Sequence, residues 1–177
     1  MENPKSKYFM TLALMQANKV LGKTRTNPAV GCVIVKNNSL ISAASTSFNG
    51  RPHAESNALK KIKKKDKKVS LYSTLEPCSH YGKTSPCVNK IINKKIKKVF
   101  FSIKDPDIRT YNKSLAILKK NKISTFTNII SSEVNNFYRS YIKFKTKKLP
   151  FVTCKLAASK DYYLNNRKNK YITNHFS

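Results

Sequence analysis

Two hydrophobic periods alternate along this chain. In "KYFMTLALMQANKVLG" the apolar residues Phe9, Leu12, Met15 and Val20 recur at helical spacing, and Gly22 closes the segment. "AVGCVIVK" is a short β-branched run and reads as a buried strand. Asn37-Asn38 then turns the chain into "SLISAASTSF", an antiparallel partner. "HAESNALKKIKK" reads as a helix that opens at His53, and "VSLYSTLE" as a strand that Pro77 stops. "SPCVNKIINKK" reads as a helix with Ser85 as N-cap and Pro86 in its first turn. "IKKVFFSI" is a strand, "NKSLAILKKN" a helix and "ISTFT" a strand. "SSEVNNFYRSYIKF" reads as one helix capped by Ser131 or Ser132. Strands alternating with helices predict an α/β class, a sandwich around a mixed sheet. From Lys145 the texture changes. "TKKLP" reads as a linker and "FVTCKLAAS" as one more strand, while "KDYYLNNRKNKYITNHFS" is too polar to build a core.

Composition bounds this picture. The chain has 177 residues, 40% of them hydrophobic, which is enough for one domain, or one domain with an appendage. No apolar run approaches the ~20 residues needed to span a bilayer, and residues 1 to 22 hold no signal-like apolar stretch. A cytoplasmic location is expected, where clustered cysteines serve as metal ligands or catalysts more often than as disulfides. The net charge of +28 admits nucleic acid or a membrane surface as a partner. The basic residues are mostly lysine, though, and spread along the whole chain, as an A/T-biased coding sequence produces. Even "KKIKKKDKK" reads as a solvated helix end and loop. No specific nucleic acid and no membrane are therefore expected.

The densest chemistry lies in "TLEPCSHYGKTSPC", residues 74 to 87. Cys78 and Cys87 fall near the start of a helix, where backbone N–H groups favour thiolates. The chain has three histidines. His53 opens a helix, His80 lies inside the stretch, and His175 is in the tail. Two thiolates and the imidazole of His53 make a Cys₂His site, three protein ligands where zinc takes four. Water would fill the open position and be acidified there. Glu55, two residues after His53, can move that water's proton to a leaving amine without being a ligand. Cys32 and Cys154 read as core thiols, and Glu76 as a structural residue that holds the loop by a backbone hydrogen bond.

His53-Ala54-Glu55 with Pro77-Cys78 resembles the cytidine deaminase-like superfamily. Nucleic-acid deaminases of that superfamily separate their cysteines by two residues, and here eight intervene. "TLEPCSHYGKTSPC", "NPAVGCVIVK" and Asp105-Pro106 are similar to the riboflavin-pathway deaminases, over roughly residues 7 to 156. The resemblance implies a three-layer α/β/α sandwich and one zinc per chain, held by His53, Cys78 and Cys87, with Glu55 as proton shuttle. It implies hydrolytic deamination of a diaminohydroxyphosphoribosylaminopyrimidine. Asn27, His80 and Lys83 match positions that line the family's substrate pocket. Asn27 would read the pyrimidine edge, His80 would bond the ring, and Lys83 with Thr84 would meet the phosphate.

Residues 1–145 are expected to form the deaminase domain, and 146–177 a linker with a truncated start of a reductase domain. "LPFVTCKLAASKD" resembles such an opening, but Tyr162 stands where a glycine is expected after Asp161. NADPH binding is therefore not expected. A separate reductase is a conceivable partner, and a homo-oligomer is compatible with the family. Two other readings stay open: a deaminase acting on tRNA, and a non-enzymatic zinc module built on Cys78, His80 and Cys87.

Overall fold

The computed structural model describes residues 3–63, 68–82 and 84–156. A five-stranded mixed sheet runs in the order β2-β1-β3-β4-β5. Its strands are β1 (Gly31–Lys36), β2 (Ser39–Ser45), β3 (Val69–Leu75), β4 (Lys98–Ile103) and β5 (Ser124–Phe126). β1 pairs antiparallel with β2 and β3, whereas β3, β4 and β5 run parallel. The hairpin between β1 and β2 turns at Asn37 and Asn38, both at positive φ (49° and 63°). Asparagine tolerates that region better than most residues. The helices are α1 (Pro4–Asn18), α2 (Ala54–Leu59), α3 (Cys87–Asn93), α4 (Lys113–Lys120), α5 (Ser131–Phe137) and α6 (Arg139–Lys147). No helix among the described residues is long and apolar enough to cross a membrane.

Strand alternation sends side chains to two faces. On one face Tyr72, Phe100 and Phe126 sit at paired register positions and stack, with centroids 4.3 and 4.6 Å apart. Phe9 of α1 packs on Tyr72 at 5.4 Å. On the same face Gly31 admits α1 closely, since an added Cβ would overlap the Ala13 carbonyl. Tyr138, at the junction of α5 and α6, closes this side. Its hydroxyl donates to the Ala29 carbonyl at 2.9 Å and accepts from Thr74 Oγ1 at 2.7 Å. Thr74 Oγ1 in turn accepts the Gly31 N–H at 3.1 Å. The opposite face carries Cys32, Ile34, Leu71 and Phe101, all buried, under α2 and α3. The arrangement is the expected three-layer α/β/α sandwich.

Five local expectations are corrected. Pro86 rather than Ser85 is the N-cap of α3. Proline's fixed φ suits the entry, and Ser85 stays exposed. The segment 131–144 is two helices, not one. It breaks at Tyr138 (φ −89°, ψ 7°), whose buried hydrogen bonds outweigh helix continuity. Its N-cap is Ile130, at φ 46°, rather than Ser131 or Ser132. Finally, 151–156 is exposed and forms no strand. Phe151 instead lies against the cations of Arg139 (4.9 Å) and Lys143 (5.7 Å). Cys154 is exposed, so it is not a core thiol, whereas Cys32 is fully buried. Residues 157–177, with His175 and the remnant's Asp161 and Tyr162, lie outside the described residues.

Candidate active site

The site forms where α2 and α3 meet beside the end of β3. His53 is the N-cap of α2, in extended backbone, so its ring projects from the helix start. Glu55 follows in the first turn and is buried at 3% exposure. Cys78 lies in the loop after β3, and Cys87 is the first residue of α3. His53 Nδ1 sits 3.5 Å from Cys78 Sγ and 3.4 Å from Cys87 Sγ. The three ligand atoms lie within 4.8 Å of one another.

Zinc–sulfur and zinc–nitrogen bonds of ~2.3 and ~2.0 Å in a tetrahedron put ligand N and S atoms about 3.5 Å apart. The two observed N–S spacings match two edges of that tetrahedron, and the donor set is soft sulfur with imidazole, as zinc prefers. The residues therefore fit a zinc ion. Glu55 Oε2 lies 3.5 Å from Cys87 Sγ, beside the triad and outside it. His53, Glu55 and Cys78 line one cleft.

Electrostatics divides the two thiols. Contact with Cys87 and the bond from His53 outweigh desolvation and hold the Cys78 thiol down at about 4. Cys87 shifts the other way, raised by Cys78 and by burial. The bond to Cys78 raises His53, and burial raises Glu55. Behind Cys87, Lys90 Nζ donates to Ser56 Oγ at 2.8 Å, and Ser56 Oγ lies 3.9 Å from Cys87 Sγ.

The remaining expected residues are placed as follows. Asn27 and His80 line the cleft. The loop bearing Asn27 is held by Thr24 Oγ1, which donates to the Asn27 carbonyl at 2.7 Å. Thr46 Oγ1, 3.2 Å from the Pro28 carbonyl, braces it further. Gly50, at φ +89°, leaves room for the Asn27 amide, which an added Cβ would overlap. His80 is not in the metal cluster. Its Nδ1 is 3.1 Å from Thr110 Oγ1, and burial with the nearby Arg109 lowers its pKa. Thr84 is exposed and accepts from Arg51 Nη1 at 2.9 Å. Lys83 lies outside the described residues. Glu76 has the structural role expected of it. Its carboxylate accepts the backbone N–H groups of Asp105 (3.3 Å) and Asn112 (3.2 Å) and the Ser114 hydroxyl (2.6 Å).

Sequence reasoning missed the charged rim of the cleft. Asp107 accepts Arg109 through Nε (2.9 Å) and Nη2 (2.6 Å), and Lys145 of α6 at 2.9 Å. These partners hold its carboxyl far below the usual range. Asp105 Oδ1 accepts the Tyr141 hydroxyl at 3.0 Å. Arg51 also lines the cleft. Its position two residues before His53 was the one available signal; nothing local marks α6 as a wall of the site.

The family model for the cytidine and deoxycytidylate deaminase zinc-binding region matches residues 3–103. A diaminohydroxyphosphoribosylamino-pyrimidine deaminase of Buchnera aphidicola is 36% identical over 146 residues, covering 82% of this chain and 99% of the relative. The riboflavin biosynthesis protein RibD of Bacillus amyloliquefaciens is 36% identical over 154 residues, 87% of this chain but 42% of its own length. The chain thus spans less than half of that relative. Among solved structures, the Thermotoga maritima protein titled as both a deaminase and a uracil reductase aligns with TM-score 0.88 and 33% identity. That alignment covers 96% of this chain and 50% of the other. The chain belongs to the zinc-binding cytidine and deoxycytidylate deaminase family, in its diaminohydroxyphosphoribosylaminopyrimidine deaminase group.

Proposed function

We propose that this chain hydrolytically deaminates diaminohydroxyphosphoribosylaminopyrimidine, giving an amino-phosphoribosylamino-uracil and ammonia. One observation carries the proposal: a nitrogen and two sulfurs within 4.8 Å of one another, with the buried Glu55 carboxylate beside them and outside the set. His53, Cys78 and Cys87 would hold one zinc. When bound, the metal supplies Lewis acidity that makes water a usable nucleophile near neutral pH.

The chain's own residues do the rest. Glu55 takes a proton from the attacking water as its oxygen bonds to the amino-bearing ring carbon. It delivers that proton to the adjacent ring nitrogen, then moves the proton of the new hydroxyl to the departing amine. The C–N bond breaks, a carbonyl remains and ammonia leaves, so the balance is one water in and one ammonia out. Burial raises the pKa of Glu55, which favours the protonated form it needs in order to donate. Asn27 offers the pyrimidine an amide donor and acceptor. His80, whose Nδ1 is engaged by Thr110 Oγ1 at 3.1 Å, offers the ring its Nε2. Lys83 and Thr84 remain the phosphate-binding residues inferred from sequence. Residues 1–145 are the deaminase domain on this reading.

Metal analysis with an ammonia-release assay tests this on two substrates, the diaminopyrimidine nucleotide and a folded tRNA. One zinc per chain and release from the nucleotide alone is the expected result. Release from the tRNA alone would replace this reading with the nucleic-acid one.

A further inference from the structure

We infer that Arg51 is a phosphate anchor of the cleft, contributed from the loop that leads into α2. The inference rests on the nucleotide-deaminase reading above. Three described cations line the cleft: Arg51, Arg109 and Lys145. Two of them are already engaged. Arg109 and Lys145 both bond the carboxylate of Asp107, at 2.6–2.9 Å, so each is tied to one place and has donors committed there. Arg51 makes no ion pair among the described residues. Its one described hydrogen bond goes from Nη1 to the Thr84 hydroxyl at 2.9 Å.

A guanidinium has five N–H donors and stays charged at any working pH. One donor on Thr84 leaves four for a ligand. The bond to Thr84 also fixes the side chain across the loop that follows Cys78. That loop passes close, since a Cβ added to Gly82 would lie 3.5 Å from Arg51 Nη2. Arg51 precedes the proposed ligand His53 by two residues, with Pro52 between them. A ring held at the metal triad and a phosphate held at Arg51 would therefore be gripped by one short, stiff segment. A planar fork suits a phosphate's paired oxygens better than a point charge does. Thr84 acts on this account as a positioning residue for Arg51.

The test uses the full zinc-loaded chain. Ribose 5-phosphate and ribose are titrated separately and followed by proton NMR. The variants are Arg51→Gln, Arg51→Lys and, as a control for the general lysine excess, the exposed Lys119→Gln. Losing charge-assisted hydrogen bonds weakens a phosphate contact about 10- to 100-fold. Arg51→Gln should lose that much affinity for ribose 5-phosphate with zinc content intact, and Lys119→Gln should lose little. Arg51→Lys should fall between, a graded order that a folding defect would not produce. Ribose affinity should not move. Equal losses in Arg51→Gln and Lys119→Gln, or none in either, overturn the anchor. Failure of the wild-type chain to deaminate the diaminopyrimidine nucleotide is a different outcome. With binding of ribose 5-phosphate still dependent on Arg51, it would sink the substrate reading and leave the anchor standing.

Discussion

The backbone N–H of Cys87 donates to the sulfur of Cys78 at 3.2 Å. The eight intervening residues therefore form a loop closed at its base, and the Val88 N–H on the Cys78 carbonyl, also 3.2 Å, closes it a second time. Ligands far apart in sequence are thus set side by side by the backbone. The N–H also helps keep Cys78 a thiolate, the form that binds metal.

Cys87→Ser should retain this closure, because the N–H belongs to the backbone, and lose the metal. Serine is a poor ligand in a soft site. Substitutions in the outer shell of metal sites already weaken binding 10- to 100-fold, so replacing a direct ligand should weaken it by at least about 100-fold. Zinc content after dialysis against a mild chelator measures this. Full occupancy in the variant would remove Cys87 from the ligand set.

Tyr138 gives a prediction about stability alone. Its hydroxyl, buried with the residue at 2% exposure, joins the Ala29 carbonyl to Thr74. Tyr138→Phe keeps the ring and strands both partners. An unsatisfied buried polar group costs about 1–3 kcal/mol. Urea unfolding should show a loss of that size with zinc stoichiometry unchanged. A neutral result would mean water replaces the hydroxyl.

How much of this was legible in the sequence follows from how local each signal is. The strands are short β-branched or aromatic runs, and their period survives in any context. His53, Glu55, Cys78 and Cys87 were legible because His53-Ala54-Glu55, Pro77-Cys78 and the long cysteine stretch resemble a zinc deaminase pattern. The break at Tyr138 was not legible, since it depends on Thr74 and Ala29, distant in sequence. The run beginning at Phe151 looked like a strand because apolar residues do; no sheet edge receives it among the described residues. Arg109 and Lys145 were hidden by abundance, as two cations among 36 Lys and Arg carry no local mark, and Arg51 had only its place two residues before His53 to mark it.

Asp105 makes stability depend on pH. Burial pushes its carboxyl from 3.8 to about 6, against hydrogen bonds from Asp107 N–H and Tyr141 that oppose the shift. The folded pKa is above the unfolded one, so the folded chain holds the extra proton between about pH 4 and 6. That contribution is fully present below about pH 4 and is lost as pH rises through 6. Between pH 8 and pH 5 the wild type should gain roughly 1–2 kcal/mol from this group. Asp105→Asn keeps an acceptor for both bonds and cannot titrate, so its stability should lack that gain. Denaturation curves for both chains at pH 5 and pH 8, with zinc saturating, give the difference directly. Identical pH slopes would show that Asp105 is not held protonated.

Glu55 separates a proton shuttle from a ligand. The side chain is buried, 3.5 Å from Cys87 Sγ, and lines the cleft with His53 and Cys78. Either role is compatible with closeness alone. Glu55→Gln keeps the shape and a hydrogen-bonding oxygen but cannot carry a proton. A shuttle predicts zinc content equal to the wild type and turnover lower by at least the ~10² that general acid–base catalysis supplies. The substrate's KM should change little, because the ring contacts assigned to Asn27 and His80 are untouched. A ligand predicts the reverse order, with zinc lost first and turnover falling in proportion to it. Measuring zinc and turnover on the same preparation distinguishes the two. Loss of metal in Glu55→Gln would make Glu55 a fourth protein ligand, close the position water needs, and turn the site from catalytic to structural.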